Sequence, residues 1–322
     1  MATMTNAATS HGVVIPYHVY HAEAHVLSGK LEHPVKQPIE FEGHVVLQNT
    51  RREAHLTRSS AANTLEGLIS FKAAYTRASG NKFEKKRDLQ GVHRKGWVTL
   101  STSIIEGLNV FEVITADRVV AQVSTDHPEK EGHVPIVTFL GTRFENLRVS
   151  GYPVNVTFNY GICGKKPAKD RSYLQDKGFL DRIYHQADET ATKAGIPLVL
   201  KEKYNGVRTG ISQVKNGPIG DEAEVRCSIV DSIDPIPELD VTTFGNVMVI
   251  PNFGTVALGE LRVGVNSPKD SYLPPRSKSN GNGSHPEWSS YFHLDMLNMT
   301  LGCIGGGNVT AASAKTNGVT RP

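Results

Sequence analysis

The sequence predicts a mainly β protein, an antiparallel β-sandwich or barrel with a jelly-roll-like arrangement among the options, carrying a short helical insertion around residues 172–205. Three observations lead there. Short runs rich in Val, Ile, Thr and aromatic residues alternate in polarity and are punctuated by Gly, Pro, Asn or Asp about every eight to twelve residues. Strand signals follow one another from Leu108 to Tyr160 with no helix between them, whereas parallel strands need long crossovers. The helical period of three and four surfaces only after Gly161, between Ser172 and Lys193.

Residues 1–12 read as a flexible polar arm. An antiparallel β region then covers 13–163, beginning with Tyr17 to Leu27 and the shorter Gly43 to Asn49. Leu65 to Arg77 and Gly96 to Ile105 flank Asn81 to Lys95, a segment dense in Lys and Arg and poor in apolar residues, which is expected to be a solvated loop. In Leu108 to Thr125 the alternation of Val110, Glu112 and Ile114, then Val119, Ala121 and Val123, predicts a hairpin turning at Ala116-Asp117-Arg118. Pro135 to Leu140, Arg143 to Val149 and Pro153 to Tyr160 continue the meander.

Residues 164–205 form a linker and the helical insertion. Phe179, Leu180, Ile183, Tyr184, Ala187 and Ala191 share one helical face, Gly195 caps it and Pro197 blocks its continuation. Leu198 to Tyr204 reads either as a second short helix or as a strand. Strands resume over 206–266, a Ser/Pro/Asn/Gly-rich loop is expected at 267–289, and 290–322 holds a last strand and a polar tail that is either an edge strand or loose.

Composition narrows function by exclusion. The chain has 322 residues, 39% hydrophobic and 21% charged, enough for a sizeable core. A formal net charge of +3 gives no electrostatic reason to expect a nucleic-acid or anionic-membrane partner, so nucleic acid is disfavoured and no membrane partner is expected. The first ten residues lack the basic and apolar regions of a secretory signal, and no apolar run is long enough to span a bilayer, so a cytoplasmic location is expected. Cys163, Cys227 and Cys303 are too widely spaced for a zinc knuckle and are expected to be reduced.

Seven of the thirteen histidines fall within the first 55 residues. On a strand, His21, Glu23 and His25 project from one face at a period of two, and two imidazoles with a carboxylate are the donor types a divalent metal takes. His44 or His55 is the candidate for an additional ligand. The same run also reads as an ordinary polar strand face, since it lacks the helical spacing of metalloprotease motifs. His127 beside Asp126 and His293 two residues before Asp295 pair a base with a carboxylate, but no catalytic motif such as a nucleophile elbow or phosphate loop is present.

The sequence therefore favours a non-enzymatic role over an enzyme: a structural or interaction protein on an antiparallel scaffold, self-associating or binding a protein partner through edges or loops. The alternatives are a metal-dependent or small-molecule or carbohydrate-binding β-barrel using the His-rich strand, and a nucleic-acid-associated or coat-like jelly roll using the basic segment.

Overall fold

The computed structural model describes residues 17–33, 35–87, 93–129, 134–168, 171–220, 222–266, 289–302 and 306–321. The strands run in chain order as β1 (Tyr17–Leu31), β2 (Gln37–Glu42), β3 (Val45–Thr50), β4 (Ala54–Ser60), β5 (Asn63–Leu65), β6 (Ile69–Phe71), β7 (Ala73–Arg87), β8 (His93–Val110) and β9 (Ile114–Pro128). Short segments follow: β10 (Ile136–Thr138), β11 (Arg143–Glu145), β12 (Arg148–Val149), β13 (Tyr152–Pro153) and β14 (Val156–Phe158). After two helices, α1 (Lys177–Thr192) and α2 (Leu198–Asn216), come β15 (Glu224–Ser228), β16 (Val230–Ile233), β17 (Thr242–Phe244), β18 (Val247–Ile250), β19 (Gly254–Asn266), β20 (Ser289–Leu301), β21 (Gly307–Thr316) and β22 (Val319–Arg321).

β14 and β16 pair separately as a two-stranded sheet, and the other strands form two large antiparallel sheets in a sandwich-like layout. One runs β17-β18-β19-β20-β21-β1-β2, with β15 on β19 and both β3 and β22 on β1; the other runs β13-β12-β9-β8-β6-β5, with β7 on β8 and β4 on β7. One continuous apolar cluster is shared by both sheets and the helices, from Val26 and Leu27 through Ile105, Val119, Phe179 and Ile183 to Phe292 and Ala314. Where β1 faces β8 the facing side chains are small, Ala22 and Ala24 against Ser101 and Ser103, so backbone and hydroxyl come within bonding distance. Ser101 Oγ donates to the Glu23 carbonyl at 2.5 Å and Ser103 Oγ to that of His25 at 2.8 Å.

The first sheet contains a coordinated change of side-chain parity. In β20 the core takes Phe292 and Leu294, then Leu297, Met299 and Leu301; in β19 it takes Val256 and Leu258, then Leu261, Val263 and Val265. The neighbouring β21 and β1 switch at the same level, from Ala311 to Ala314 and from Ala24 to Leu27. Gly259 (φ +57°) and Ala312 (φ +56°) sit at this level, and left-handed residues turn the following side chains to the opposite face. All four strands switch together, so Leu258, Leu297, Ala311 and Leu27 stay in register.

Four expectations are corrected. Asn81 to Lys95 is not a loop: β7 and β8 continue as a paired ribbon out to Arg87 and His93, and only 88–92 lie outside the described residues. A ribbon beyond the sandwich needs no apolar alternation, which hid it. The β8–β9 turn lies at Phe111 and Glu112, not at 116–118, which belong to β9. Both turn residues have positive φ (53° and 58°), and Asn109 Oδ1 accepts from the Glu112 amide at 2.8 Å, a geometry usually marked by Gly or Asn. The second helix runs to Asn216, beyond the expected boundary at 205, because Leu200, Tyr204 and Ile211 bury one face despite Gly206 and Gly210. Most of the tail is neither edge nor loose, since β21 lies between β20 and β1, its alanines admitting close approach of the other sheet, while β22 pairs with β1 alone among the described residues. The predicted 267–289 loop falls almost wholly outside the described residues.

Candidate functional site

The face of the first sheet turned away from the second carries a ladder of polar side chains in register. One row reads Glu23, Lys315, His293, Arg262 and Arg226 across β1, β21, β20, β19 and β15; the next reads His25, Ser313, Asp295, Glu260 and Ser228. Period-two projection places these residues together, and the antiparallel register then brings chemistry from five distant segments onto one surface.

Of the residues expected to form a site, His21, Glu23 and His25 do share this face. Glu23 turns to His44, whose Nε2 lies 3.0 Å from Oε1. His25 places its Nε2 3.0 Å from Ser28 Oγ and its ring edge-on to Phe41 at 4.8 Å, and Phe41 lies 5.3 Å from the His44 ring. The His25 and His44 rings stand 6.4 Å apart. His21 is half-buried at the level of Asn317, whose amide donates to its carbonyl. His55 is on β4 in the other sheet, 3.3 Å from Arg77 Nη2. Among the described residues no three His, Cys, Asp or Glu side chains converge as a metal-binding group.

The strongest electrostatic knot lies two strands away. Asp295 is 4% exposed, yet its Oδ2 accepts from Arg262 Nη2 at 2.8 Å and its Oδ1 lies 3.1 Å from His293 Nε2. Burial alone pushes its carboxyl up, but His293, Arg262 and Ser313 outweigh burial and hold it well below the ordinary carboxylate range. Burial drives the His25 imidazole down from 6.5 to about 4, although Asp295 and Glu23 pull it up. For Glu23, burial raises the carboxyl, while Lys315 and the His44 hydrogen bond win and lower it.

Ser313, His293 and Asp295 look like a hydrolytic triad in composition, but the geometry is different. A relay needs the hydroxyl on one ring nitrogen and the carboxylate on the other. Here His293 Nε2 meets Ser313 Oγ at 2.7 Å, Asp295 Oδ1 at 3.1 Å and Arg262 Nη2 at 3.2 Å, so one nitrogen serves all three partners. The arrangement holds charge; it is not built to pass a proton. Nearby charges are likewise matched: Glu260 takes Lys203 at 2.8 Å and Asn298 at 2.7 Å, and Tyr291 Oη donates to Glu224 at 2.7 Å by lying across Gly264.

Sequence reasoning set His293 beside Asp295 without assigning them a role; the usable signal was the same period-two spacing noted for His21, Glu23 and His25. His127, by contrast, is adjacent to Asp126 and so projects oppositely. It is fully buried between the sheets, 4.5 Å from the His18 ring, which stacks on Trp97 at 5.7 Å and reaches Thr320 Oγ1 at 2.9 Å. Burial, then His127, lowers the His18 imidazole well below its ordinary value.

The Phe41 and His44 side of the network lies at one flank of the sandwich, where β2 and β3 share the margin beside β1 and β4 forms the margin of the other sheet. Among the described residues β4 pairs only with β7, and His55 to Ser59 are exposed throughout. Phe41 (56% exposed), Val35 and Leu56 place apolar surface on the same flank. Marginal strands elsewhere are shorter: β5 and β17 have three residues and β13 has two.

A family model described as Domain of unknown function (DUF8256) matches residues 18–264. The chain belongs to this family. The match includes Glu23, His25, His44 and Arg262 as well as the β2–β3–β4 flank, and stops before His293, Asp295 and Ser313. No curated protein and no solved structure matches the chain. No helix among the described residues is long and apolar enough to cross a membrane.

Proposed function

We propose that this DUF8256 member is an interaction protein that associates with a second copy of itself through the β2–β3–β4 flank, the free edge of β4 supplying the pairing strand. The observation that carries this reading is β4 itself, a seven-residue strand exposed from His55 to Ser59 and, among the described residues, hydrogen-bonded on one side. An uncapped strand of that length is a template for strand addition, which proteins otherwise block with prolines, bulges or short edges. A two-fold axis through Thr57 sets Leu56 against Arg58, His55 against Ser59 and Thr57 against its own copy, so no like charges oppose each other. Phe41, Val35 and Leu56 flank the seam with apolar area to bury.

Multi-angle light scattering on the full chain tests it. The expected result is a dimer that becomes monomeric on combining Leu56→Lys with Phe41→Lys, while thermal unfolding stays close to wild type because both positions are already exposed. A wild-type chain that stays monomeric at about 100 µM, or a dimer indifferent to both lysines, refutes the reading.

A further inference from the structure

We infer that the groove between α1 and α2 is a binding site for a neutral polyhydroxylated ligand, a sugar or polyol. The groove holds about 560 Å³, within the range of small-molecule sites, and is lined by Tyr184 of α1 and by Asn205, Arg208, Thr209, Ser212 and Gln213 of α2. On α2 these positions recur at three and four, so they form one continuous face of the helix.

The composition of that face selects the ligand. An ordinary solvated helix face carries Lys and Glu, as α2 does at Lys201, Glu202 and Lys215. The groove face carries amides and hydroxyls, each both donor and acceptor, which suit the paired donor and acceptor roles of vicinal hydroxyls. Its one formal charge, Arg208, is neutralised by Asp188 Oδ1 at 2.9 Å. Among the described residues no carboxylate or imidazole lines the groove to hold a metal, and its one cation is compensated and so does not call for an anion.

Arg208 is also held ready. Its Nη1 donates to Asn205 Oδ1 at 3.1 Å, its Nη2 lies 3.4 Å from Tyr184 Oη, and its guanidinium sits over the Tyr184 ring at 5.6 Å from the centroid. Its Nε is turned from solvent and has no acceptor among the described residues. An oriented guanidinium beside a row of amides and hydroxyls matches the hydroxyl edge of a pyranose or cyclitol.

The test is saturation-transfer difference NMR on the full chain with glucose, mannose, galactose, N-acetylglucosamine and myo-inositol, and with glucose 6-phosphate and glucuronate as anionic controls. We expect at least one neutral member to bind, to weaken about tenfold or more with Thr209→Val, and to lose its signal when Gln213→Trp fills the groove, with unchanged far-ultraviolet circular dichroism. Should Gln213→Trp not fold, Thr209→Val decides alone. Absence of binding by every neutral member, binding by the anionic controls only, or binding that survives these substitutions overturns the assignment. The outcome is independent of the β4 seam, which lies on the other sheet.

Discussion

Acid should destabilise this protein in a window to which His25 contributes, and its share can be sized from the structure. His25 is 5% exposed and its imidazole is driven from 6.5 down to about 4 in the folded state. The folded form therefore binds fewer protons than the unfolded chain between those values, so stability rises with pH across the window. The contribution is fully present above pH 6.5 and is lost progressively as pH falls toward about 4. A separation of about 2.5 pH units at about 1.4 kcal/mol each amounts to about 3 kcal/mol, a substantial fraction of the total stability of a typical domain. Urea unfolding at pH 6.5 and at about pH 4 measures the loss, with His25→Gln as the comparison. Glutamine keeps a partner for Ser28 Oγ but does not titrate. The variant should flatten the pH dependence by about 3 kcal/mol, leaving what His18 contributes with the same sign. If wild type and His25→Gln lose stability in parallel, the reasoning fails.

Two further predictions concern the same face. Replacing Asp295 by Ala leaves Arg262 and His293 without their carboxylate, and breaking a buried pair of this kind should cost about 3–5 kcal/mol in chemical denaturation; a loss under about 1 kcal/mol would show that the network is solvated. Because the Asp295 carboxyl is held low, its contribution is present above the unfolded value near 3.9 and is lost as pH falls below it, so the cost of Asp295→Ala should shrink in strong acid. At Gly264 a Cβ would lie 2.4 Å from the Tyr291 ring, so Gly264→Val should expel the tyrosine and break its bond to Glu224, read as increased Tyr291 accessibility to chemical modification.

Particular residues show how far a one-dimensional reading reaches. The alternation along β9, and along β1, β19 and β20 on either side of their parity switch, is visible in the order of residues, because a strand with one wet and one dry face must repeat every two positions. The apolar face of α1 is visible for the corresponding reason at period 3.6. His21, Glu23 and His25 could be placed on one face by the same arithmetic. That Glu23 would meet His44, and not join His21 and His25 on a common point, could not be read there, because it depends on where β3 settles beside β1.

What the order of residues determined by itself was therefore the period: antiparallel ribbons, a helical break after Gly161, and which side chains share a face. What only the tertiary structure decided was register between segments tens to hundreds of residues apart. Ser313, Asp295 and Arg262 become neighbours because β21, β20 and β19 pair at one particular offset, and a slip by one residue would turn every one of them to the opposite face. Local propensity is a short-range quantity; partner choice across a sheet is settled by burying all the apolar faces at once, and no single segment contains that information.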